Sequence, residues 1–443
     1  MEELPPSRVP HPFLLLLYAI IVATALTWVI PAGSFDRVLD PELGAEVVVA
    51  GSYHAVDSSP VGPIAALVAV PRGIMDGADV IAVILLVGGV FAMLEQSGAL
   101  SRLVGTLLYR AYHPHAVIAG VSIVFSILGA IEYMHEEIVA LIPVVVLLSR
   151  RLGYGSITAL AMSIGAAVVG SAFGPTNPFA AGIALQYAEL SPLSSLGLRL
   201  ATLVVATAIW IWWTIRSAPR DDVRPPLPLA NTTYATQRDA LMLALAIVPF
   251  IPYVYGVLVL DWGFDELSAL FLVAGYVIGK VSGASLGETT VKFISGMETM
   301  LGAALLIGLS RAVSLVLIDA QVLDTIVYAF ATPLAELPTY LAAACMVPMQ
   351  ALLHVLLPST SGQAVLTIPI FAPVADLLGM PRDAAVMAFQ TGAVLTDVLS
   401  PTTGPFLAML LAARVPFERW LRFAIPGMAL VSLTGFAAIA LMV

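Results

Sequence analysis

Apolar residues run along this chain in stretches too long for a soluble core. At about 20 apolar residues per membrane crossing, clear spans fall at roughly 11–31, 79–97, 195–216, 240–258, 264–280, 298–318 and 420–443. Two further apolar stretches, 156–189 and 383–413, are interrupted by Gly174-Pro175-Thr176-Asn177-Pro178 and by Ser400-Pro401-Thr402-Thr403-Gly404. Two more, 114–149 and 338–378, are long enough to enter the bilayer and return. Each has a polar centre: Glu132-Tyr133-Met134-His135-Glu136-Glu137 in the first, Pro358-Ser359-Thr360-Ser361-Gly362-Gln363 in the second. Both read as re-entrant hairpins. Irregular backbone survives at membrane depth only where protein or a wet cavity covers it, so the pattern predicts breaks and tips gathered inside the molecule.

Composition agrees. Of 443 residues, 60% are hydrophobic and 11% charged, against about a quarter charged in a soluble domain. A soluble enzyme, a nucleic-acid binder and a disordered chain are excluded. The formal charge is −10, and only Lys280 and Lys292 are lysines, so there is no basic arm for nucleic acid. The lone cysteine, Cys345, supports neither a disulfide framework nor a cysteine-based metal site. The first span follows one arginine and lacks a small-residue cleavage site, so it is expected to stay as a helix.

Charge placement orients the chain. With the N-terminus inside and the hairpins making no net crossing, Arg8, Arg102, Arg110, Arg150, Arg151, Arg216, Arg220, Arg224, Arg238, Lys280, Lys292, Arg414, Arg419 and Arg422 fall on the cytoplasmic side. Arg37, Arg72, Arg199 and Arg382 fall outside, and Arg311 lies within a span. That asymmetry follows the positive-inside rule and predicts a multi-pass protein of the cell (inner) membrane with a cytoplasmic N-terminus. Residues 32–62 become an external loop with some strand character around Val47-Val48-Val49, and 217–237 a cytoplasmic linker.

A register shift of 226 residues superposes 139–176 on 365–402, pairing Ile142-Pro143 with Ile368-Pro369, Leu152-Gly153 with Leu378-Gly379 and Pro175-Thr176 with Pro401-Thr402. Hairpin meets hairpin and break meets break. The expected fold is all-α, with a first repeat over 1–216, a linker and connecting helix over 217–262, and a second repeat over 263–443. One connecting helix between them makes the repeats inverted. Inverted repeats with broken helices meeting near the midplane are a transporter architecture.

The breaks free backbone groups, and a half-helix N-terminus suits a carboxylate while freed carbonyls suit a cation. Thr176, Asn177, Thr402 and Thr403 would add side-chain partners; the plainer alternative is a proline kink satisfied by neighbours. Ser359, Thr360, Ser361 and Gln363 at the second tip could hold a carboxylate without a basic residue, or simply cap a helix. The first tip carries Glu132, His135, Glu136 and Glu137, and charges at this depth are costly and usually functional or paired. They could hold a substrate ammonium or guanidinium, sodium, or protons. Asp397, one turn before the second break, is a candidate for the coupling ion with Glu132, Asn177 and Thr396, or else a partner of Arg311. Arg311 could instead bind a substrate carboxylate. His354 is a weaker candidate. No nucleotide loop or metal signature is present, so neither an ATP-driven pump within this chain nor an enzyme is expected.

Ile30-Pro31-Ala32-Gly33-Ser34-Phe35, the run Gly296 to Ala312, Gly174 to Phe179, Pro358 to Ile370 and Ser400 to Gly404 resemble the YfcC family, which belongs with the anaerobic dicarboxylate carriers in the ion transporter superfamily. The resemblance implies a secondary transporter, a homodimer, and a transport domain that moves against a scaffold by an elevator mechanism. Glu136 and Glu137 match the family's Glu-Glu pair at the tip. The family pattern has Asp at the position of Ala393 and Asn at that of Asp397. The carboxylate has thus moved one helical turn along the same face, and the family's ion site does not carry over unchanged. Members are described as basic amino-acid antiporters or dicarboxylate carriers.

The expected function is therefore secondary transport of a small charged organic solute in the lipid bilayer, coupled to sodium or a proton and needing no other cofactor. A glutamate-bearing tip opposite a hydroxyl-bearing tip suits a cationic or zwitterionic amino acid. The alternatives are a dicarboxylate carrier and a cation/proton exchanger without organic substrate.

Overall fold

The computed structural model describes residues 10–40, 45–99, 102, 113–175, 177–217, 235–260 and 262–443. Among them, eight helices are long and apolar enough to cross a membrane. Helix α1 (Pro12–Val29) begins where the His11 side chain accepts from the Phe13 amide and Pro12 takes a first-turn position that needs no donor. The loop after it forms two small antiparallel ladders, β1 (Gly33–Ser34) with β4 (His54–Ala55) and β2 (Arg37–Asp40) with β3 (Ala45–Val48).

Helices α2 (Pro63–Asp76) and α3 (Ala78–Gln96) follow one another with Gly77 between them. Helix α2 has no counterpart among the apolar spans of the sequence because Pro71, Arg72, Gly73 and Asp76 dilute its hydropathy. The first hairpin is α4 (Pro114–Glu132) and α5 (Ile138–Arg151). The first broken helix is α6 (156–173) and α7 (178–187), and α8 (Leu196–Ser217) ends this half. The span expected at 240–258 is two helices, α9 (Gln237–Ile247) and α10 (Phe250–Val259), parted at Pro249, whose missing amide cannot continue the ladder.

Helix α11 (Phe264–Val281) precedes α12 (Leu286–Asp319), which starts twelve residues before its expected edge at a Ser285–Glu288 capping box. A short helix absent from the sequence reading, α13 (Leu323–Leu334), leads into the second hairpin, α14 (Thr339–Leu356) and α15 (Thr360–Leu377). The second broken helix is α16 (382–394) and α17 (Gly404–Ala413), and α18 (Phe417–Met442) closes the chain.

Two close approaches by glycine organise the packing. Helix α12 runs antiparallel to the α2–α3 arm: a Cβ on Gly73 would stand 2.3 Å from the Gly308 carbonyl, and one on Gly296 would stand 2.9 Å from the Gly89 Cα. Helix α4 lies against α6 as tightly, with the Gly170 position 1.9 Å from the Ser126 carbonyl and the Gly129 position 2.1 Å from that of Ala167. Small residues let membrane helices touch backbone to backbone, where dispersion and weak polar contacts replace the hydrophobic drive. Every residue from 157 to 173 is buried. The broken helix is thus sheathed by protein, the condition under which unwound backbone is tolerated at membrane depth.

The loop on the 32–62 side is pinned to α13. Arg37 Nη2 donates to both carboxylate oxygens of Asp324 at 3.0 and 2.9 Å, the Phe35 amide donates to Asp324 Oδ2 at 3.0 Å, and Tyr53 stacks on Tyr328 with ring centroids 4.1 Å apart.

Candidate functional site

The two hairpin tips and the second break meet around one cavity of about 120 Å³. From the first tip come Tyr133, His135 and Glu136; from the second, Ser359, Thr360 and Ser361; from the second break, Asp397, Thr403 and Phe406. Phe179, just after the first break, and Ser310 and Arg311 of α12 add to the polar and aromatic lining. Glu136 and Asp397 bring negative charge, and Arg311 brings positive charge. The hydroxyls of Ser359–Ser361 sit where α15 begins, so amides of its first turn add donors for an anionic group.

The first tip is shaped by one residue. Tyr133 follows α4 with φ 59° and ψ 36°, a left-handed conformation that costs a non-glycine residue about 1–2 kcal/mol and that clusters at functional sites. It turns the chain so that the phenol reaches across to Asp397 Oδ2 at 2.5 Å and to the Thr360 hydroxyl. One side chain thus ties the first tip to the second tip and to the second break. The other carboxylate oxygen of Asp397, Oδ1, lies 2.7 Å from Nε2 of His354, which is fully buried in α14.

Arg311 Nε is 3.8 Å from Asp76 Oδ2, both side chains being well exposed. Asp397 is therefore partnered by Tyr133 and His354 rather than by Arg311, and Arg311 is held at the rim by a loose ion pair worth about 0–1 kcal/mol. Its guanidinium keeps most of its donors available to a ligand.

The breaks are more closed than the sequence reading expected. At the second, Ser310 Oγ donates to the Thr402 carbonyl at 2.5 Å and accepts from the Gly404 amide at 3.1 Å, while Trp420 Nε1 donates to the Val398 carbonyl at 2.7 Å. Thr402 Oγ1 donates to the Val355 carbonyl at 2.7 Å. At the first, Asn177 Oδ1 accepts from the amides of Phe179 and Ala180, and its Nδ2 donates to the Gly129 carbonyl at 2.7 Å. Neighbouring helices take up these freed groups, as at a proline kink, and the breaks serve as rigid ends that present Asp397, Thr403 and Phe179. Thr403 Oγ1 is buried and has no hydrogen-bond partner among the described residues.

Of the residues singled out from sequence, His135, Glu136, Ser359, Thr360, Ser361, Thr403, Asp397 and Arg311 line the cavity. Asn177, Thr402 and Gln363 lie behind it as parts of the frame, and Thr396 Oγ1 donates to the Gly392 carbonyl of its own helix. Glu132 and Glu137 are buried off the cavity, each with one carboxylate oxygen unpartnered among the described residues. Thr176, Arg8, Arg110, Arg220 and Arg224 lie outside the described residues. Tyr133, Phe179 and Ser310 also contribute, though none of them stood out in the sequence as a candidate. Tyr133 sits within the polar first tip but carries no charge to mark it, and only its left-handed turn reveals where the phenol goes.

The family described as "DcuC: C4-dicarboxylate anaerobic carrier" matches residues 9–443. An uncharacterized protein of Haemophilus influenzae (strain ATCC 51907 / DSM 11121 / KW20 / Rd) is 28% identical over 485 residues, spanning 96% of this chain and 95% of that protein. A protein of Escherichia coli (strain K12) named "Putative basic amino acid antiporter YfcC" is 28% identical over 477 residues, spanning 95% and 94%. Among solved structures, the YdaH transporter of Alcanivorax borkumensis aligns at 18% identity and TM-score 0.47 over 98% of both chains. MtrF of Neisseria gonorrhoeae, of a class of antimetabolite efflux pumps, aligns at 17% identity and TM-score 0.47 over 99% of this chain and 96% of its own.

Proposed function

The chain belongs to the C4-dicarboxylate anaerobic carrier family of membrane transporters, and from that premise we propose that it is a secondary active transporter of a cationic or zwitterionic amino acid. One observation carries the choice of substrate: the cavity sets Glu136 and Asp397 on one side of the charge balance and Arg311 alone on the other. A dicarboxylate needs cationic or multiple donor groups at both ends. An amino acid needs an anionic partner for its ammonium or guanidinium, and donors for one carboxylate. The hydroxyls of Ser359 and Ser361, the first turn of α15 and Arg311 supply the latter. The name of the Escherichia coli relative points the same way, and that of the family points to the alternative, carriage of a dicarboxylate.

In this reading the two halves are inverted repeats. The order of long helical arm, hairpin, broken helix and final helix on both sides of α9–α10 supports it. So does the π-helical turn that each broken helix carries ahead of its break, at Ala161–Gly165 and Gln390–Val394. The hairpins and broken helices would move as one unit against a scaffold of the remaining helices, within a homodimer in the cell membrane with the N-terminus inside. The Tyr133 contacts to Thr360 and Asp397 give that unit a cross-link between its halves.

Uptake of radiolabelled arginine against succinate by purified protein in liposomes tests the substrate. Saturable arginine uptake is expected. Saturable succinate uptake without arginine uptake overturns the proposal in favour of the dicarboxylate, and cation flux that needs no organic solute favours a cation/proton exchanger.

A further inference from the structure

Four buried side chains form a hydrogen-bonded line from the second hairpin to the cavity: Gln350, Gln363, His354 and Asp397. The direction of the bonds is fixed at the far end. Gln363 Nε2 lies 2.8 Å from the Gln350 backbone carbonyl and 2.7 Å from Gln350 Oε1. A backbone carbonyl can only accept, so the opposite orientation of the Gln363 amide would press two oxygens together. Its Oε1 is therefore the atom that faces His354 Nδ1 at 2.9 Å, and that nitrogen carries a hydrogen.

The consequence falls on the other ring nitrogen. His354 Nε2 stands 2.7 Å from Asp397 Oδ1. A neutral imidazole protonated at Nδ1 presents a lone pair at Nε2, and an ionised carboxylate presents another. Two lone pairs at that distance repel in an interior where unpaired polar atoms are costly. The contact is satisfied only when one more proton is present, either on Nε2 beside a carboxylate or on Oδ1 beside a neutral imidazole.

We propose that His354 and Asp397 together form a proton-binding site, and that this proton is the ion the transporter exchanges. The site itself follows from the hydrogen-bond directions, whereas its coupling role rests on the transport function proposed above.

Two further groups face the carboxylate of the pair. Asp397 Oδ2 accepts from Tyr133 at 2.5 Å and lies 3.4 Å from His135 Nδ1. His135 Nε2 faces Ser171 Oγ at 3.0 Å, and Ser171 spends its own hydrogen on the Gly129 carbonyl. Nε2 of His135 is thus a donor, and in its neutral form the ring turns a lone pair toward Asp397. Glu136 and Arg311 line the same cavity with opposite charges. His354 is fully buried, so Asp397 is the door. When the proton leaves through Asp397 to cavity water, the pair retains one uncompensated negative charge. An arriving ammonium or guanidinium neutralises it, and departure of that cation lets the proton return. Proton and cationic solute would then alternate at one place.

Infrared difference spectroscopy of the purified full chain during a pH jump, with and without ¹⁵N-histidine labelling, tests the site directly. A titrating imidazole or carboxyl signal is expected that vanishes together in His354→Gln and in Asp397→Asn. A signal unchanged in both variants overturns the site. Should either variant fail to elute as a folded monodisperse species, the wild type still decides. Adding arginine to weakly buffered protein should release about one proton per bound solute, read with an indicator dye. Arginine binding without release overturns the coupling. Binding of succinate in place of arginine overturns the substrate reading and leaves the infrared test of the proton site standing.

Discussion

The Tyr133 phenol and the Asp397 carboxylate meet at 2.5 Å although 264 residues separate them in the chain. The contact joins the first hairpin tip to the second broken helix, and it exists because Tyr133 adopts a left-handed conformation that a tyrosine ordinarily avoids. The first tip, the second tip and the second break are thereby held by one side chain.

Tyr133→Phe removes this bond and the contact with Thr360 while keeping the ring. A hydrogen bond to a charged group contributes about 1.5–3 kcal/mol. Solute affinity or transport rate is expected to fall about tenfold or more, with a small drop in thermal stability. Substrate-dependent thermal shift and uptake in liposomes check both. Unchanged transport would show that the cross-link is dispensable.

The adjacent glutamates at the first tip should separate by substitution. Glu136 lines the cavity, whereas Glu137 is buried off it with an oxygen unpartnered among the described residues. Glu136→Gln is expected to abolish solute binding in a folded protein. Glu137→Gln, which removes a buried carboxylate with one unpartnered oxygen among the described residues, is expected to hold or raise stability and to change binding less than Glu136→Gln does. Side-by-side binding and melting curves distinguish the two.

Gly170→Ala places a methyl group 1.9 Å from the Ser126 carbonyl, whereas at Gly120, in the same helix as Ser126, the new Cβ meets nothing within 4 Å. Overpacking of this kind costs about 1–3 kcal/mol or more. Gly170→Ala should lower the melting temperature or the yield of folded protein, and Gly120→Ala should be neutral or slightly stabilising. Equal effects would contradict the backbone contact between α4 and α6.

At the foot of α9, before the expected span, Arg102 Nε and Nη2 grip the Asp239 carboxylate at 2.9 and 2.6 Å. This hold, together with the Thr236 cap, keeps the carboxyl well below the usual carboxylate range. A depressed folded pKa contributes stability that is complete above the unfolded value of about 3.9 and is lost as pH falls through the folded one. Asp239→Asn should therefore melt lower than wild type near neutrality, and the gap should close as the pH drops below about 4. A gap that widens on acidification would reverse the sign and refute the ion pair's role.

Much of the fold was legible because it rests on apolar length. Spans such as 11–31 and 195–216 reappear within about two residues as Pro12–Val29 and Leu196–Ser217. The hairpins and breaks were legible because Pro175 and Pro401, and the polar runs at 132–137 and 358–363, interrupt that length. Helix α2 was not, since Arg72 and Asp76 weaken its hydropathy, although Arg72 reaches Asp319 and is satisfied there. In the site, charge drew attention to Asp397, Glu136 and Arg311. Charge could not tell Glu136 from Glu137, whose difference is one of direction at a turn. Nor could it foresee that Ser310 and Trp420 close the second break, because those bonds are made across helices far apart in sequence.

Equilibrium binding of radiolabelled arginine to the purified protein, competed with unlabelled succinate, tests most directly that the cavity between the tips is an amino-acid site. Saturable binding that succinate does not displace, and that Glu136→Gln abolishes, is the predicted result. Binding displaced by succinate, or undiminished in Glu136→Gln, would contradict it.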